Sequence, residues 1–180
     1  PADGSLPELR NIPHANIETP ITVEGNPTSW TNEDVTLELK GSDTITVTDF
    51  LGTPITTEGF KWTTTQNGFF VVKHDKGTLE VNVDKIDKVA PTKPSLELVD
   101  NEIKVTLGTD EQSGIKEHKY RINEGVEMTS LPPLTVLPNG RYTLYLKAID
   151  NAGNSSEIAS ITYEKNEDIL TEIVDVVAPS

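Results

Sequence analysis

The feature that most limits what this chain can become is the strict two-residue alternation in Tyr142-Thr143-Leu144-Tyr145-Leu146-Lys147-Ala148. Successive side chains of a strand point to opposite faces, so Tyr142, Leu144, Leu146 and Ala148 share one face while Thr143, Tyr145 and Lys147 share the other. A helix would scatter both sets around its circumference. The same period returns along the chain. Val35, Leu37 and Leu39 alternate with Thr36, Glu38 and Lys40, and shorter runs carry Ile21 and Val23, Ile45 and Val47, and Leu79, Val81 and Val83. In the second half, Leu96 and Leu98, then Ile103, Val105 and Leu107, then His118, Tyr120 and Ile122 continue the pattern, with Ile158, Ile161 and Tyr163 in a last strand. Turn-forming clusters separate these runs: Gly25-Asn26-Pro27, Asn67-Gly68, Asp75-Lys76-Gly77, Asp110 to Gly114, Asn139-Gly140 and Asp150 to Asn154. Asn67-Gly68 reads as a hairpin turn. The expectation is an all-β chain of sandwiches.

Composition decides how many. Only 34% of the residues are hydrophobic and 6% aromatic, which suits thin sandwiches with large polar surfaces better than one thick core. The two halves also share an order of features: a Pro-bearing entry, an alternating strand, Asn-Gly before a strand, a polar turn and a closing strand. Val89-Ala90-Pro91-Thr92 is echoed by Val177-Ala178-Pro179-Ser180 one small-domain length later. Pro91 and Pro94 mark a stiff boundary, because proline cannot serve a strand interior. The expected organisation is an irregular or linker segment over 1–16, a first domain over 17–88, a second over 89–164, and a linker toward a further domain over 165–180. In that last stretch Ile169, Leu170, Ile173, Val174 and Val177 fit a helical period, while Val174 and Val176 also fit a strand. An extended linker is the preferred reading.

The formal charge of -14 repels phosphate backbones and anionic lipid headgroups, so nucleic acid is not an expected partner. The absence of cysteine removes thiol catalysis, Cys-based zinc sites and disulfides together. No apolar run approaches the roughly 20 residues that span a bilayer, and the first residues lack the charged and apolar regions of a signal peptide. The chain is expected to be soluble as it stands, without direct membrane insertion.

Longer stretches carry a resemblance. Asn26 to Leu37 (NPTSWTNEDVTL) resembles the opening of bacterial immunoglobulin-like repeats from Gram-positive surface and secreted proteins, and Val83 to Thr92 (VDKIDKVAPT) looks like their inter-repeat joint. Asn139 to Asn154 (NGRYTLYLKAIDNAGN) is similar to the strand and turn near the end of such a repeat, and Ser113-Gly114-Ile115 matches a turn common among them. The likeness covers about Ile17 to Glu164. It implies two tandem immunoglobulin-like β-sandwich domains joined by a short Pro-containing linker. It also implies an extracellular or cell-surface location associated with a cell wall or S-layer. The first repeat departs from the pattern, with Lys76-Gly77 where an Ala-Gly-Asn is expected.

Chemistry is sparse. His14, His74 and His118 show no paired metal-binding spacing, and nothing resembles a nucleophile elbow, so no enzyme is expected. Asp110, Glu111, Asp150 and Asn154 could meet at one end of the second sandwich and bind calcium through oxygen atoms. Turns rich in Asp and Asn also arise because those side chains cap their own backbone, and that reading is preferred; no other cofactor is expected. Trp62 and Tyr145 are candidate platforms for a sugar ring, whereas Trp30, beside Pro27, reads as a packing residue. Lys40 could be imagined in an intramolecular isopeptide bond, but its alternation points it outward.

The expected function is that of a non-catalytic spacer or adhesion module in a multidomain bacterial surface or secreted protein. Its partners would be other domains of the same polypeptide and a cell-wall or host glycan or protein. The alternatives are a carbohydrate-binding accessory module of a polysaccharide-active enzyme, and a subunit of a phage virion or ordered surface array.

Overall fold

The structure, a computed structural model, describes residues 19–174. The expected N-terminal linker over 1–16, with His14, and the Val177 to Ser180 echo lie outside the described residues. The chain is all-β and divides into two compact units. Each is an immunoglobulin-like β-sandwich.

The first unit takes its described residues from 19–26 and 34–84. One sheet has the order β1 (Thr22–Glu24), β2 (Val35–Lys40), β4 (Lys61–Thr64); the other has β3 (Thr46–Asp49), β5 (Gly68–His74), β6 (Gly77–Val83). All pairings are antiparallel. The alternation in the sequence sorts the side chains as expected: Val35, Leu37 and Leu39 are buried, while Thr36 and Lys40 are exposed. Val47, Phe70, Val72, Val81 and Val83 form the opposing apolar face. Trp62 and Phe70 meet edge to face across the gap between the sheets, with ring centroids 6.0 Å apart.

One turn is not what it resembled. Asn67-Gly68 stands between β4 and β5, and these belong to different sheets, so it is a crossover and not a hairpin turn. The hairpin is β5 to β6, closed by Asp75 and Lys76, where the Lys76 N–H donates to His74 Nδ1. Asn-Gly specifies a tight reversal but not the partner of the next strand, and here Leu37 opposite Trp62 ties β4 to β2.

The second unit takes residues 27–33 and 85 onward. Residues 85–88 were expected to close the first domain, yet they cluster here. Thr31 and Ile86 form a parallel bridge in which the Thr31 N–H donates to the Lys85 carbonyl and the Asp87 N–H donates to that of Thr31. The larger sheet has the order β12 (Ile169–Glu172), β11 (Ala159–Asn166), β10 (Gly140–Asp150), β9 (Ile115–Ile122). The smaller sheet pairs β7 (Ser95–Val99) with β8 (Glu102–Thr106). Between them lies a core of Leu144, Ile161 and Tyr163, against which Leu96, Leu98, Ile103 and Tyr120 pack. The segment expected as a linker after 164 contributes β12, antiparallel to β11, with Leu170 packed on that core. Its mixed period had concealed a strand with one inward side chain. Ile158 precedes β11 and is 55% exposed, while its neighbour Ala159 takes the inward position.

Tyr163 is fully buried in this core and its hydroxyl has no hydrogen-bond partner; burial first, then Tyr142, pushes its ionisation upward. A hydroxyl taken from water with nothing in exchange is a net cost. Tyr163→Phe is therefore expected to stabilise the second unit by about 1 kcal/mol, seen as a higher denaturant midpoint with an unchanged slope.

Candidate functional site

The most heavily constructed polar site lies inside the second unit, where three aspartates converge. Asp87 arrives on the segment that enters the unit, Asp110 on the turn after β8, and Asp150 at the end of β10, where a bulge shifts the register. One carboxylate oxygen from each lies within 4.8 Å of the others. Asp87 and Asp150 are fully buried and Asp110 partly so.

Backbone amides meet these charges. Asp87 accepts from the Val89 N–H at 2.9 Å through Oδ1 and from the Ser113 N–H at 3.0 Å through Oδ2. Asp110 Oδ2 accepts from the Ser113 and Gly114 N–H groups, each at 2.8 Å, and from the Ser113 hydroxyl at 3.3 Å. Asp150 Oδ1 accepts from the Ala152 and Asn154 N–H groups at 3.0 and 2.8 Å. Asn154 Nδ2 donates to Asp150 Oδ2 at 2.9 Å and to the carbonyls of Asp87 and Val89 at 2.8 and 3.3 Å. Three acceptors around that nitrogen fix which way the amide faces. Burial raises the Asp87 carboxyl, but the Ser113 side chain, the Val89 and Ser113 amides and a hydrogen bond with Asp110 outweigh it and hold the group below the usual carboxylate value of 3.8.

The same segment is fastened further along. Gln112 Nε2 donates to the Ile86 carbonyl at 2.7 Å, and the Thr92 N–H donates to the Thr109 carbonyl at 2.8 Å. Pro91 and Pro94 are buried. Gly108 is obligatory beside them, because a Cβ there would strike the Thr92 carbonyl and the Ala148 methyl. Its N–H donates to His118 Nε2 at 3.0 Å; burial lowers the His118 pKa from 6.5, and the neutral ring is the form that can accept this bond.

Of the residues expected to meet around calcium, Asp110, Asp150 and Asn154 do come together. Glu111 is exposed and outside the carboxylate group. Asp87 had no signal of its own, lying in a Lys-rich stretch that resembled an inter-repeat joint. The three oxygens lie within the span between two oxygens on opposite sides of one calcium ion, about 5 Å. One oxygen from each gives three of the six to eight that calcium takes, and five of the six carboxylate oxygens already receive N–H groups. The arrangement works chemically as a clamp on backbone amides.

The sugar-platform reading of Trp62 is overturned: the side chain is 2% exposed and packed on Phe70 in the first unit's core. A ring that water cannot reach cannot stack on a saccharide. Tyr145 is half-exposed on the outer face of β10, with the Arg121 guanidinium 4.5 Å from its ring centroid. Trp30 carries the Lys85 ammonium at 4.9 Å. Lys40 is exposed and paired with Glu38 at 3.2 Å. Among the described residues no helix is long and apolar enough to cross a membrane.

The antiparallel sheets packed around an apolar core place both units in one structural class, the immunoglobulin-like β-sandwich. No protein-family model matches the chain, and no curated protein matches it. Among solved structures it is similar to the one titled "Structures of Clostridium thermocellum CbhA fibronectin(III)-like modules", at 13% identity and a TM-score of 0.39, over 79% of this chain and 92% of that one.

Two measurements follow. Asp87 has its pKa lowered on folding, so the unfolded chain binds the proton more readily; the stabilisation is complete above pH 3.8 and is lost as pH falls through the lower folded value. Asp87→Ala is expected to cost the second unit roughly 3 kcal/mol at neutral pH and to flatten its acid-unfolding profile below pH 4. In calorimetric titration the clamp predicts no saturable heat with millimolar calcium, and a saturable signal abolished by Asp110→Asn would assign the ion instead.

Proposed function

We propose that this chain is a non-catalytic structural module, a spacer or adhesive segment within a multidomain bacterial surface or secreted protein. The observation that carries this reading is the direction of the aspartate cluster. A catalytic or ligand site presents polar groups toward a cavity with valences open for a substrate. Here Asp87, Asp150 and Asn154 face their own backbone and fasten the entering segment to the body of the unit, and Asp110, although it borders a surface groove, turns an oxygen to the Ser113 and Gly114 amides. Resistance to separation is what such fastening supplies, and a spacer under tension needs it. The net charge of -14 favours solubility and discourages unspecific association.

Mechanical unfolding tests the reading. With the chain held between handles in a single-molecule experiment, the second unit is expected to rupture as one cooperative step. Asp87→Ala should lower that rupture force while leaving the first unit's step unchanged. Equal forces in both proteins would remove the support for a tension-bearing role.

A further inference from the structure

The outer face of the larger sheet in the second unit carries a different polar arrangement, which the structural role does not use. Register places Tyr145 opposite Arg121 and Lys147 opposite Lys119 on β10 and β9. Tyr145 and Lys147 alternate with the buried Leu144, Leu146 and Ala148, and Arg121 and Lys119 are their cross-strand partners, so the four stand together on the solvent side. Two lysines directly opposite each other on an antiparallel pair repel and lower sheet stability. Each cation has a glutamate partner: Glu127 lies 3.3 Å from Lys147, Glu117 3.5 Å from Lys119 and Glu124 3.8 Å from Arg121, and Glu124 is 94% exposed. The Arg121–Glu124 pair, the longest and most exposed, is worth little and yields to a better anion.

This square forms the floor of a half-open groove of about 380 Å³. Gly125 and Glu127 form one wall, on a loop held to β9 by reciprocal hydrogen bonds between Tyr120 and Met128. Ile158, 55% exposed, also lines the groove. The volume falls in the range of small-ligand sites.

We propose that the groove binds a sugar carrying one carboxylate, such as a uronate residue of a glycan. Arg121, Lys119 and Lys147 supply the donors for the carboxylate and ring hydroxyls, while Tyr145 and Ile158 offer apolar surface to the C–H face of the ring. An acidic peptide fits less well, because peptides add to a free strand edge and the edge strand here, β9, already has its outer side bridged by Met128 at Tyr120. A polyanion fits less well too, since the -14 of the whole chain opposes it, whereas a single carboxylate has only to displace one of the glutamates paired with Arg121, Lys119 and Lys147. This inference goes beyond the structural role and does not depend on it.

Backbone amide NMR on the full chain, titrated with methyl β-glucuronide, methyl β-glucoside and acetate in parallel, tests the proposal. The glucuronide is expected to give saturable shifts centred on residues 119, 121, 145 and 147, the glucoside and acetate none that saturate in the same range. Tyr145→Ala and Arg121→Ala should each weaken binding about tenfold, and Tyr145→Phe should preserve it. Unaltered dispersion elsewhere in the spectra shows that the variants fold. Absence of saturable shifts, equal response to acetate, or shifts centred away from the groove would each overturn the proposal.

Discussion

Burying Asp87 and Asp150 without residual exposure would be prohibitive if their charges were not met, since a carboxylate leaving water costs several kcal/mol before compensation. The compensation comes from amides that are themselves in need of partners. Ser113 and Gly114 lie in a tight turn, Ala152 and Asn154 in another, and Val89 in an extended segment with no strand beside it. The charge requires the turns and the turns require the charge. Because the three aspartates come from sequence positions far apart, satisfying them fixes one end of the second sandwich in a single arrangement. The burial of Pro91 and Pro94, the Thr92 to Thr109 pairing and the close approach at Gly108 all become possible once that end is set.

What could be read from the sequence follows from where period two has physical force. Val35, Leu37 and Leu39, or Leu144, Leu146 and Ala148, each cover a core on one face and meet water on the other, so burial writes itself into the residue pattern. Sheet membership leaves no such trace. Asn67-Gly68 has the composition of a hairpin turn, yet the strand after it pairs across to β3 and β6 instead of back to β4. The fate of Trp62 was hidden for a related reason: Lys61 and Thr63 flank it, and a lone aromatic between polar neighbours looks equally like a core residue or a surface platform. Residues 169–172 were ambiguous because an edge strand with one inward side chain has almost no period to display.

The polar site was half legible. Asp110 and Asp150 stand in turn-like clusters, where composition marks them, and their meeting at one end of the sandwich follows from strand polarity. Asp87 is invisible to such reasoning. Its importance comes from accepting the Ser113 N–H, a contact across 26 positions that no local pattern encodes. Residues 85–88 cluster with the second unit through this contact together with the Thr31 bridge and the Gln112 hydrogen bond to the Ile86 carbonyl.

β10 separates two kinds of polar chemistry that sequence alone would lump together. Its last inward residue, Asp150, belongs to a cluster in which the acceptors already receive donors, and such a network stiffens without inviting a ligand. Its outward residues Tyr145 and Lys147 belong to a square in which positive charges face one another and each is offset by a glutamate. Saturated polarity is what a fold uses to hold itself, while like charges set directly opposite each other on a sheet are a cost that folding alone gives no reason to keep. The strand bears both because its alternation isolates them, Asp150 inward and Tyr145 and Lys147 outward.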